Sequence, residues 1–287
     1  MIKTIGAFAP SDPVNEQRLA RLRTVERSFA ARGMRIKYGS HALQISSDRV
    51  PAELRASDFA DLMTMPDIDA LVSICGGKRC DELLPLIDFA AMSLTPKPVY
   101  GFSNACILLN AWTVKTGLVS YYGPESLNRF ALSSRLIDIF IGAAIAPADL
   151  CSADALTVTA GQAQGTLFGG NLSSFVTGIL GTQFEPTSHE VIFFWESGAD
   201  DSEYLTTLLR RLLSSTFRQR IAAMLIGQIG ESRTTMAVIE PLLPILRDFQ
   251  IPTLFLPVFG HFRAVNAVLP IGRDARLDTS GGRVAII

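Results

Sequence analysis

The sequence predicts an α/β protein whose amino-terminal part is built on a mostly parallel sheet with helices on both faces. Strand-like and helix-like segments alternate along this part of the chain, and such alternation is typical of β-α-β units. Two of the strand-like runs end in residues suited to ligand binding, Gly76-Gly77 and Ser103. Because ligands collect at the carboxyl ends of parallel strands, these two positions are predicted to share one site.

The composition is that of a globular protein large enough for two domains. The chain has 287 residues, of which 48% are hydrophobic and 18% charged, and its formal net charge is −1. Without basic runs it carries no electrostatic footprint for nucleic acid or for an anionic membrane surface. No apolar run approaches the roughly 18 residues of a membrane span, and the first residues lack the pattern of a signal peptide. We therefore expect a cytoplasmic protein that binds neither nucleic acid nor a membrane.

The first half of the chain provides the alternating elements. Strand-like runs are short and apolar, whereas the helical segments carry apolar residues three and four positions apart. The predicted elements are, in order, a strand (residues 2–9), a helix (15–32), a strand (35–38), a helix (51–65), a buried strand (68–75), a short helix (83–87) and a strand (99–102). This order predicts a parallel sheet with crossover helices.

The second half changes character after a turn predicted at residues 121–124. The elements that follow are a helical region (127–144), a connector (147–153), a strand (155–159), a glycine-dense segment (161–172), a helix (173–180), a strand (191–195), a helix (201–213), a strand (221–226), a helix (236–249) and a strand (253–257). We therefore divide the chain into an amino-terminal domain (1–146), a linker (147–160) and a carboxy-terminal domain (161–287).

Ser103 is the first candidate for chemistry. It stands where the strand 99–102 turns sharply into an apolar helix, in the sequence Gly101-Phe-Ser-Asn104. At such a turn a serine hydroxyl can be exposed as a nucleophile, and the following amides can stabilise an anion. The same position also suits a plain helix N-cap, so the local pattern leaves two readings open.

A serine nucleophile needs a base and an acid that orients it. Of three histidines, His41 and His189 fall in polar loops, and His261 follows the strand 253–257. Its place just beyond a strand makes His261 the best candidate for the base. Glu196 ends the apolar strand 191–195, where it could orient that base or cap the next helix.

The glycine pair at 76–77 suggests a place for the oxyanion. Gly77 could supply one amide and Asn104 the other, although a tight turn explains the glycines equally well. The four cysteines match neither a zinc site nor a disulfide framework, and Cys106 is predicted to face the core. No G-x-G-x-x-G pattern is present, so we expect no dinucleotide cofactor. Because the cysteines lack a zinc pattern, we also expect no metal.

Taken together, these motifs resemble the LD-carboxypeptidase family of serine peptidases, which includes the murein tetrapeptide and the microcin C immunity carboxypeptidases. The matching segments run nearly from end to end and in the family's order: Ala9-Pro-Ser11, residues 69–77, Gly101-Phe-Ser-Asn104, Tyr122-Gly-Pro124, the glycine-dense segment 161–172, Phe193-Phe-Trp-Glu196, Phe259-Gly-His261 and residues 269–272. Each motif is weak by itself, whereas their common order and compatible spacing are specific.

The resemblance implies a triad of Ser103, Glu196 and His261, with the amides of Gly77 and Asn104 as the oxyanion hole. It implies hydrolysis of a terminal L,D-amide bond, with release of D-alanine from murein tetrapeptides during peptidoglycan recycling. The implied architecture is a Rossmann-like, flavodoxin-like amino-terminal domain and a smaller β-rich carboxy-terminal domain, with the site between them. A homodimer acting on a small peptide or peptide-like substrate is also implied.

Several residues depart from the family pattern. Cys75 stands where an arginine is usual, Lys78 where a tyrosine is usual, Asn104 where an aspartate is common, and Ser197 where an acidic residue follows the glutamate. A substrate carboxylate could therefore meet Lys78 or Arg79 in place of the family arginine.

The departures bear on substrate more than on chemistry. Besides Lys78 and Arg79, the residues expected to bind substrate are Gly76, Gly170 and Asn171. One alternative function is a detoxifying amidase of the microcin immunity type, acting on aminoacyl-nucleotide or other peptide-like toxins. A second is a peptide-binding homologue that has lost turnover, although an intact triad argues against it.

Overall fold

The computed structural model describes residues 2–45, 50–143, 149–231, 235–263 and 266–287. The strands of these residues are β1 (Thr4–Phe8), β2 (Arg35–Tyr38), β3 (Ala70–Ser73), β4 (Val99–Gly101), β5 (Ser120–Tyr122), β6 (Leu150–Cys151), β7 (Leu156–Thr159), β8 (Gln162–Asn171), β9 (Val191–Ser197), β10 (Ile221–Ile229), β11 (Thr253–Phe255), β12 (Leu269–Ile271), β13 (Asp274–Asp278) and β14 (Arg283–Ile286). They form two sheets.

The α-helices of the same residues are α1 (Glu16–Ala30), α2 (Ala52–Thr64), α3 (Phe89–Met92), α4 (Cys106–Thr116), α5 (Ser134–Ala143), α6 (Leu172–Gly178), α7 (Ser202–Leu213), α8 (Thr235–Ile239) and α9 (Leu243–Asp248). Short 3-10 turns at Cys80–Leu86 and Ser103–Ala105 precede α3 and α4.

The first sheet has the strand order β12-β5-β4-β3-β1-β2. Its five amino-terminal strands are parallel, and β12 adds antiparallel to β5. Along β3, Leu71 packs into one apolar cluster, and Ala70 and Val72 pack into another on the opposite face. Successive residues of a strand point to opposite faces, so both faces of this sheet are covered.

The second sheet has the order β6-β14-β13-β8-β9-β10-β11-β7. Its centre, from β8 to β11, is parallel, whereas the flanking strands are antiparallel. All seven residues of β9 are buried, as expected for a central strand.

Helix α4 joins the two sheets. Every residue from 106 to 113 is buried, which is the pattern of a helix that is covered on all sides. One apolar cluster contains residues of α4 together with Phe102 of the first sheet region and Phe194 of the second. The two sheets therefore share a continuous core next to Ser103.

The predicted α/β class with an amino-terminal parallel sheet is confirmed. One local prediction is wrong: the first two residues of the predicted turn 121–124 belong to β5. The glycine-dense segment, for which no element is predicted, contains the ten-residue strand β8. Glycine disfavours strands in general. In β8 it is required, because a Cβ on Gly169 would lie 1.8 Å from the carbonyl oxygen of Phe194.

The predicted domain limits remain a prediction, and the boundary between residues 146 and 147 lies outside the described residues. Within the segment predicted as a linker, β6 and β7 are hydrogen-bonded members of the second sheet. Strand β12, from the predicted carboxy-terminal domain, returns to the first sheet. The chain therefore crosses from one sheet to the other between β11 and β12, and His261 lies on this crossing.

Candidate active site

Ser103 lies at the carboxyl end of β4, at the start of the 3-10 turn that leads into α4. Its backbone has φ +59°, in the left-handed region that residues other than glycine rarely adopt. Such strained turns are stable only when the surrounding structure enforces them, and they are concentrated at functional sites. The geometry is that of a serine presented on a sharp strand-to-helix turn.

Gly76 makes room for this serine. A Cβ on Gly76 would lie 2.7 Å from the Cβ of Ser103 and 3.0 Å from its Oγ. Gly77, with φ +139°, packs against the Asp12 carboxylate, which accepts a hydrogen bond from the Lys78 amide at 3.1 Å. The loop after β3 is therefore held directly against the turn that carries Ser103.

His261 lies between Ser103 and Glu196. Its Nε2 is 3.1 Å from Ser103 Oγ, and its Nδ1 is 2.5 Å from Glu196 Oε2. The backbone N–H of His261 also donates to Glu196 Oε2, at 3.0 Å. With its Nδ1 proton directed at the carboxylate, a neutral imidazole presents the Nε2 lone pair to the serine hydroxyl.

Glu196 is fully buried and accepts hydrogen bonds on both oxygens. Tyr122 Oη donates to Oε1 at 2.8 Å and Asn171 Nδ2 donates to the same oxygen at 3.2 Å, while His261 takes Oε2. A buried charge is stable only when it is paired and hydrogen-bonded in this way. The carboxylate is therefore held as an acceptor whose orientation is fixed.

The charges in the site set the pKa values of the pair. Burial acts to raise the pKa of Glu196, but the neighbouring His261 and the hydrogen bonds it receives outweigh this and hold the pKa below its usual range. Burial acts to lower the pKa of His261, but the charge and hydrogen bond of Glu196, assisted by Glu125, hold it above its usual range. Both shifts favour the ion pair that would follow removal of the serine proton.

A second hydrogen-bond chain reaches Glu196 from the other side. Ser11 Oγ donates to Asn104 Oδ1 at 2.9 Å, and Asn104 Nδ2 donates to Ser174 Oγ at 3.1 Å. Ser174 Oγ bonds to Asn171 Oδ1 at 3.1 Å, and Asn171 continues to Glu196. The side chain of Asn104 is thus engaged in structure, which leaves its backbone N–H as the group that could serve an oxyanion.

The predicted oxyanion residues border the same cavity as the nucleophile. Gly77 and Asn104 line it beside Ser103, and the Asn104 nitrogen is 3.5 Å from the position of a Cβ on Gly76. The Ser103 N–H donates instead to Tyr122 Oη, at 3.1 Å. The role of Gly77 and Asn104 in stabilising an oxyanion remains a prediction.

The cavity has a volume of about 450 Å³, within the usual range for small-ligand sites. Its lining includes the charged residues Lys78, Arg79 and Asp81 and several hydroxyl groups, among them those of Ser173, Thr177 and Ser197. Arg79 is paired with Glu82 at 3.2 Å.

Of the predicted substrate-binding residues, Lys78, Arg79 and Asn171 line the cavity. Gly76 and Gly170 do not. Gly76 supports Ser103, and Gly170 is buried against Cys106 and Tyr122. A glycine pair after a strand does not distinguish contact with a ligand from contact with a neighbouring element, so the sequence could not separate these cases.

The sequence analysis did not single out Tyr122 or Ser174 as site residues. Tyr122 is buried at the end of β5, and Ser174 lies in the first turn of α6. Tyr122 ends a strand next to the one that presents Ser103. Because the sequence predicts a turn at this position, it does not place Tyr122 beside the serine.

Other groups have no place in this chemistry. Cys106 is buried, and burial raises the pKa of its thiol well above the ordinary value. Among the residues that the structure describes, no cluster of three or more histidine, cysteine or acidic side chains could hold a metal ion. Within the same residues, no helix has the length and apolar character needed to cross a membrane.

Comparisons with known proteins agree with this architecture. The family model described as the LD-carboxypeptidase N-terminal domain matches residues 5–123, and the one described as the C-terminal domain matches residues 164–277. Together they include strands of both sheets and all three residues of the predicted triad.

Two relatives of this chain have names that point to different substrates. The microcin C7 self-immunity protein of Escherichia coli is 26% identical over 276 residues, covering 81% of this chain and 77% of the relative. The murein tetrapeptide carboxypeptidase of Pseudomonas aeruginosa is 26% identical over 253 residues, covering 79% of this chain and 78% of the relative. Equal identity to both leaves the substrate open.

Solved structures show the same fold over the full chain. A protein from Bacillus anthracis similar to the microcin immunity protein superposes with a TM-score of 0.86 at 21% identity, covering 99% of this chain and 96% of the other. The muramoyltetrapeptide carboxypeptidase of Oxalobacter formigenes gives 0.82 at 24% identity, with 98% of each chain covered.

The fold, the candidate site and the matches to the family models place this protein in the general class of peptidases. More particularly, the chain belongs to the LD-carboxypeptidase family.

Proposed function

We propose that this protein is a serine carboxypeptidase that hydrolyses a terminal L,D-amide bond, with Ser103, His261 and Glu196 as its catalytic triad. The observation that carries the proposal is the unbroken series of contacts from Ser103 Oγ through the His261 ring to Glu196, at 3.1 and 2.5 Å. A binding protein has no need for a serine held in a strained turn against a base that is itself oriented by a buried carboxylate.

The reaction divides into acylation and deacylation. Ser103 Oγ attacks the carbonyl carbon of the terminal amide, and its proton passes to His261 Nε2. Glu196 stabilises the resulting imidazolium, and the amides of Gly77 and Asn104 bind the oxyanion. His261 then gives the proton to the leaving nitrogen, and the C–N bond breaks.

Deacylation repeats these steps with water. A water molecule loses a proton to His261 Nε2 as its oxygen attacks the acyl carbon. The proton returns to Ser103 Oγ when the ester bond breaks, and the shortened peptide leaves with a new carboxylate.

The cavity suits a small polar peptide. A carboxypeptidase must recognise the free carboxylate of the residue it releases, and Lys78 and Arg79 supply cations to the cavity lining. Because Arg79 is already paired with Glu82, we assign the main contact to Lys78. The preferred substrate is a murein tetrapeptide that loses D-alanine, which would place the enzyme in peptidoglycan recycling.

The alternative substrate class is an aminoacyl-nucleotide or another peptide-like toxin. The relative from Escherichia coli named as a microcin self-immunity protein favours it. The cavity lining argues against this substrate class. A nucleobase binds best between stacked rings, whereas Tyr204 and His261 are the aromatic side chains among the described lining residues. A homodimer and a cytoplasmic location remain predictions.

The test is release of terminal D-alanine from a murein tetrapeptide by the purified protein and by Ser103→Ala. We expect turnover by the parent and none above background by the variant. If neither releases D-alanine, aminoacyl sulfamoyl nucleosides are offered next, and their cleavage would move the substrate to the toxin class.

A fluorophosphonate probe gives a control that does not depend on the substrate. Labelling of the parent at Ser103, absent in Ser103→Ala, would identify the nucleophile even without a known substrate. If the parent is neither labelled nor active on any of these amides, the proposal is wrong and the catalytically impaired homologue is the remaining reading.

A further inference from the structure

Tyr122 joins the nucleophile to the acid of the triad. Its hydroxyl accepts a hydrogen bond from the Ser103 N–H at 3.1 Å and donates one to Glu196 Oε1 at 2.8 Å. The hydroxyl has a single proton, and because Ser103 is a donor, that proton must point to Glu196. The residue is fully buried, so water does not compete for either bond.

The sheet fixes where this hydroxyl lies. In the ladder, Tyr122 is the partner of Gly101 on β4 and of Leu269 on β12. Gly101 leads into the nucleophile turn, and β12 follows the crossing that carries His261. The ring of Tyr122 stacks on Phe102 at 5.0 Å and packs against Phe194 of β9 at 5.7 Å between centroids.

We propose that Tyr122 is a positioning residue that sets the orientation of Glu196 and of the Ser103 turn together. By occupying Oε1, it leaves Oε2 for the ring of His261. By accepting the Ser103 N–H, Tyr122 directs that amide away from the cavity. The amide of the next residue, Asn104, is then the one that binds the oxyanion. This inference rests on the triad of the proposed function, but on no particular substrate.

The surroundings of Tyr122 keep its hydroxyl protonated. Burial, followed by the charge of Glu196, raises the pKa of Tyr122 well above its ordinary value. The hydroxyl therefore remains a donor at every pH at which a peptidase works.

The expected effect of removing the hydroxyl has a definite sign. The groups that act on His261 are Glu196 and Glu125, which raise its pKa, and Arg129, which lowers it. The hydrogen bond from Tyr122 lowers the pKa of Glu196, so its loss makes the carboxylate a stronger partner for the imidazolium. The pKa of His261 should then move further upward.

The test compares Tyr122→Phe with Tyr100→Phe. Tyr100 is a matched control because it lies on the neighbouring strand β4, is buried, and its hydroxyl has no hydrogen-bond partner among the described residues. Two readouts are used: the titration of the His261 ring followed by 15N NMR, with the signal assigned by its loss in His261→Gln, and the rate at which a fluorophosphonate labels Ser103.

We expect Tyr122→Phe to raise the His261 midpoint by about half a pH unit. Labelling should slow by about tenfold, because the nucleophile and base lose their relative orientation. Tyr100→Phe should change neither. Equal midpoints and rates in Tyr122→Phe and the parent, or the same changes in Tyr100→Phe, would overturn the proposal. If the parent is neither labelled nor active on any of the amides offered, the proposed function fails, and the imidazole titration still decides the role of Tyr122.

Discussion

Asn171 and Glu196 are register partners on the adjacent parallel strands β8 and β9, and Asn171 Nδ2 donates to Glu196 Oε1 at 3.2 Å. Both residues stand at the carboxyl end of the second sheet, where parallel strands present side chains to a ligand. The pairing of β8 with β9 thus fixes the position of Glu196 relative to Asn171, which donates to it, without any contribution from a loop. The same asparagine caps α6, since its Oδ1 accepts the Ser174 N–H at 3.2 Å.

This double role makes Asn171→Ala informative. Loss of the cap should cost about 1 kcal/mol of unfolding free energy. Loss of the donor to Glu196 should lower kcat by about tenfold, because a buried carboxylate left short of a hydrogen bond no longer holds its position. Thermal unfolding and the rate of amide hydrolysis measure the two effects.

Asn15→Ala is the matched control. Asn15 caps α1 by accepting from the Arg18 N–H at 2.8 Å, on an exposed part of the helix outside the cavity. It should lose similar stability and keep its activity. If both variants lose activity equally, capping alone explains the effect and the contact with Glu196 is of no consequence.

A second prediction concerns pH. His261 must be neutral to accept the serine proton, so kcat/KM should fall as the pH drops through the pKa of this residue. Although burial acts to lower that pKa, Glu196 holds it above its usual range, so the acid limb of the parent should lie at higher pH than for an ordinary histidine. In Glu196→Gln the negative charge is gone, and the limb should move to lower pH while the maximum rate falls by about a thousandfold. His189→Gln, at an exposed position, should leave the profile unchanged.

Much of this site follows from the order of residues along the chain. Ser103 and Glu196 each come directly after a predicted strand, and His261 comes four residues after the predicted strand 253–257. Such strand ends can be recognised locally. The class of fold follows from the same local signals, since each crossover helix has its own periodicity.

The rest depends on contacts distant in sequence. Strand β5 has three residues, and its pairing with β4 and β12 determines what the hydroxyl of Tyr122 meets. Nothing in the local sequence indicates that β12 returns to the first sheet. The glycines of β8 make this segment look unlike a strand in the sequence. They are needed because the neighbouring strand β9 approaches too closely for a side chain. Pairing of this kind can be predicted only once the partner strand is known.

A third prediction tests the space around the nucleophile. In Gly76→Ala the new methyl group would lie 2.7 Å from the Cβ of Ser103, so the serine turn must shift. Because a displacement on the scale of 1 Å can cost about a hundredfold in rate, we expect kcat to fall by at least about tenfold. The fluorophosphonate labelling rate of Ser103 should fall in parallel.

Gly142→Ala is the control for this change. Gly142 lies in α5, and a Cβ there meets nothing within 4 Å. Replacing a helical glycine by alanine should raise the unfolding free energy by about 0.5–1 kcal/mol and leave kcat as it is. Full activity in Gly76→Ala would mean that the turn tolerates the methyl group and that the close approach has no part in positioning Ser103.

The last prediction concerns recognition of the substrate carboxylate. Lys78 lines the cavity next to Gly77 and, as an exposed residue, keeps its ammonium group accessible to a ligand. A charge-assisted hydrogen bond contributes about 1.5–3 kcal/mol, so Lys78→Ala should raise KM for a peptide with a free carboxyl end by about tenfold or more. The change in kcat should be smaller, because this contact is made equally in the ground state and the transition state.

The same peptide with an amidated end already lacks the charge, so its KM should be the same for parent and variant. Lys115→Ala, at an exposed lysine outside the cavity, should leave both substrates unaffected. An equal loss for the free and the amidated peptide would show that Lys78 supports the loop and does not read the carboxylate.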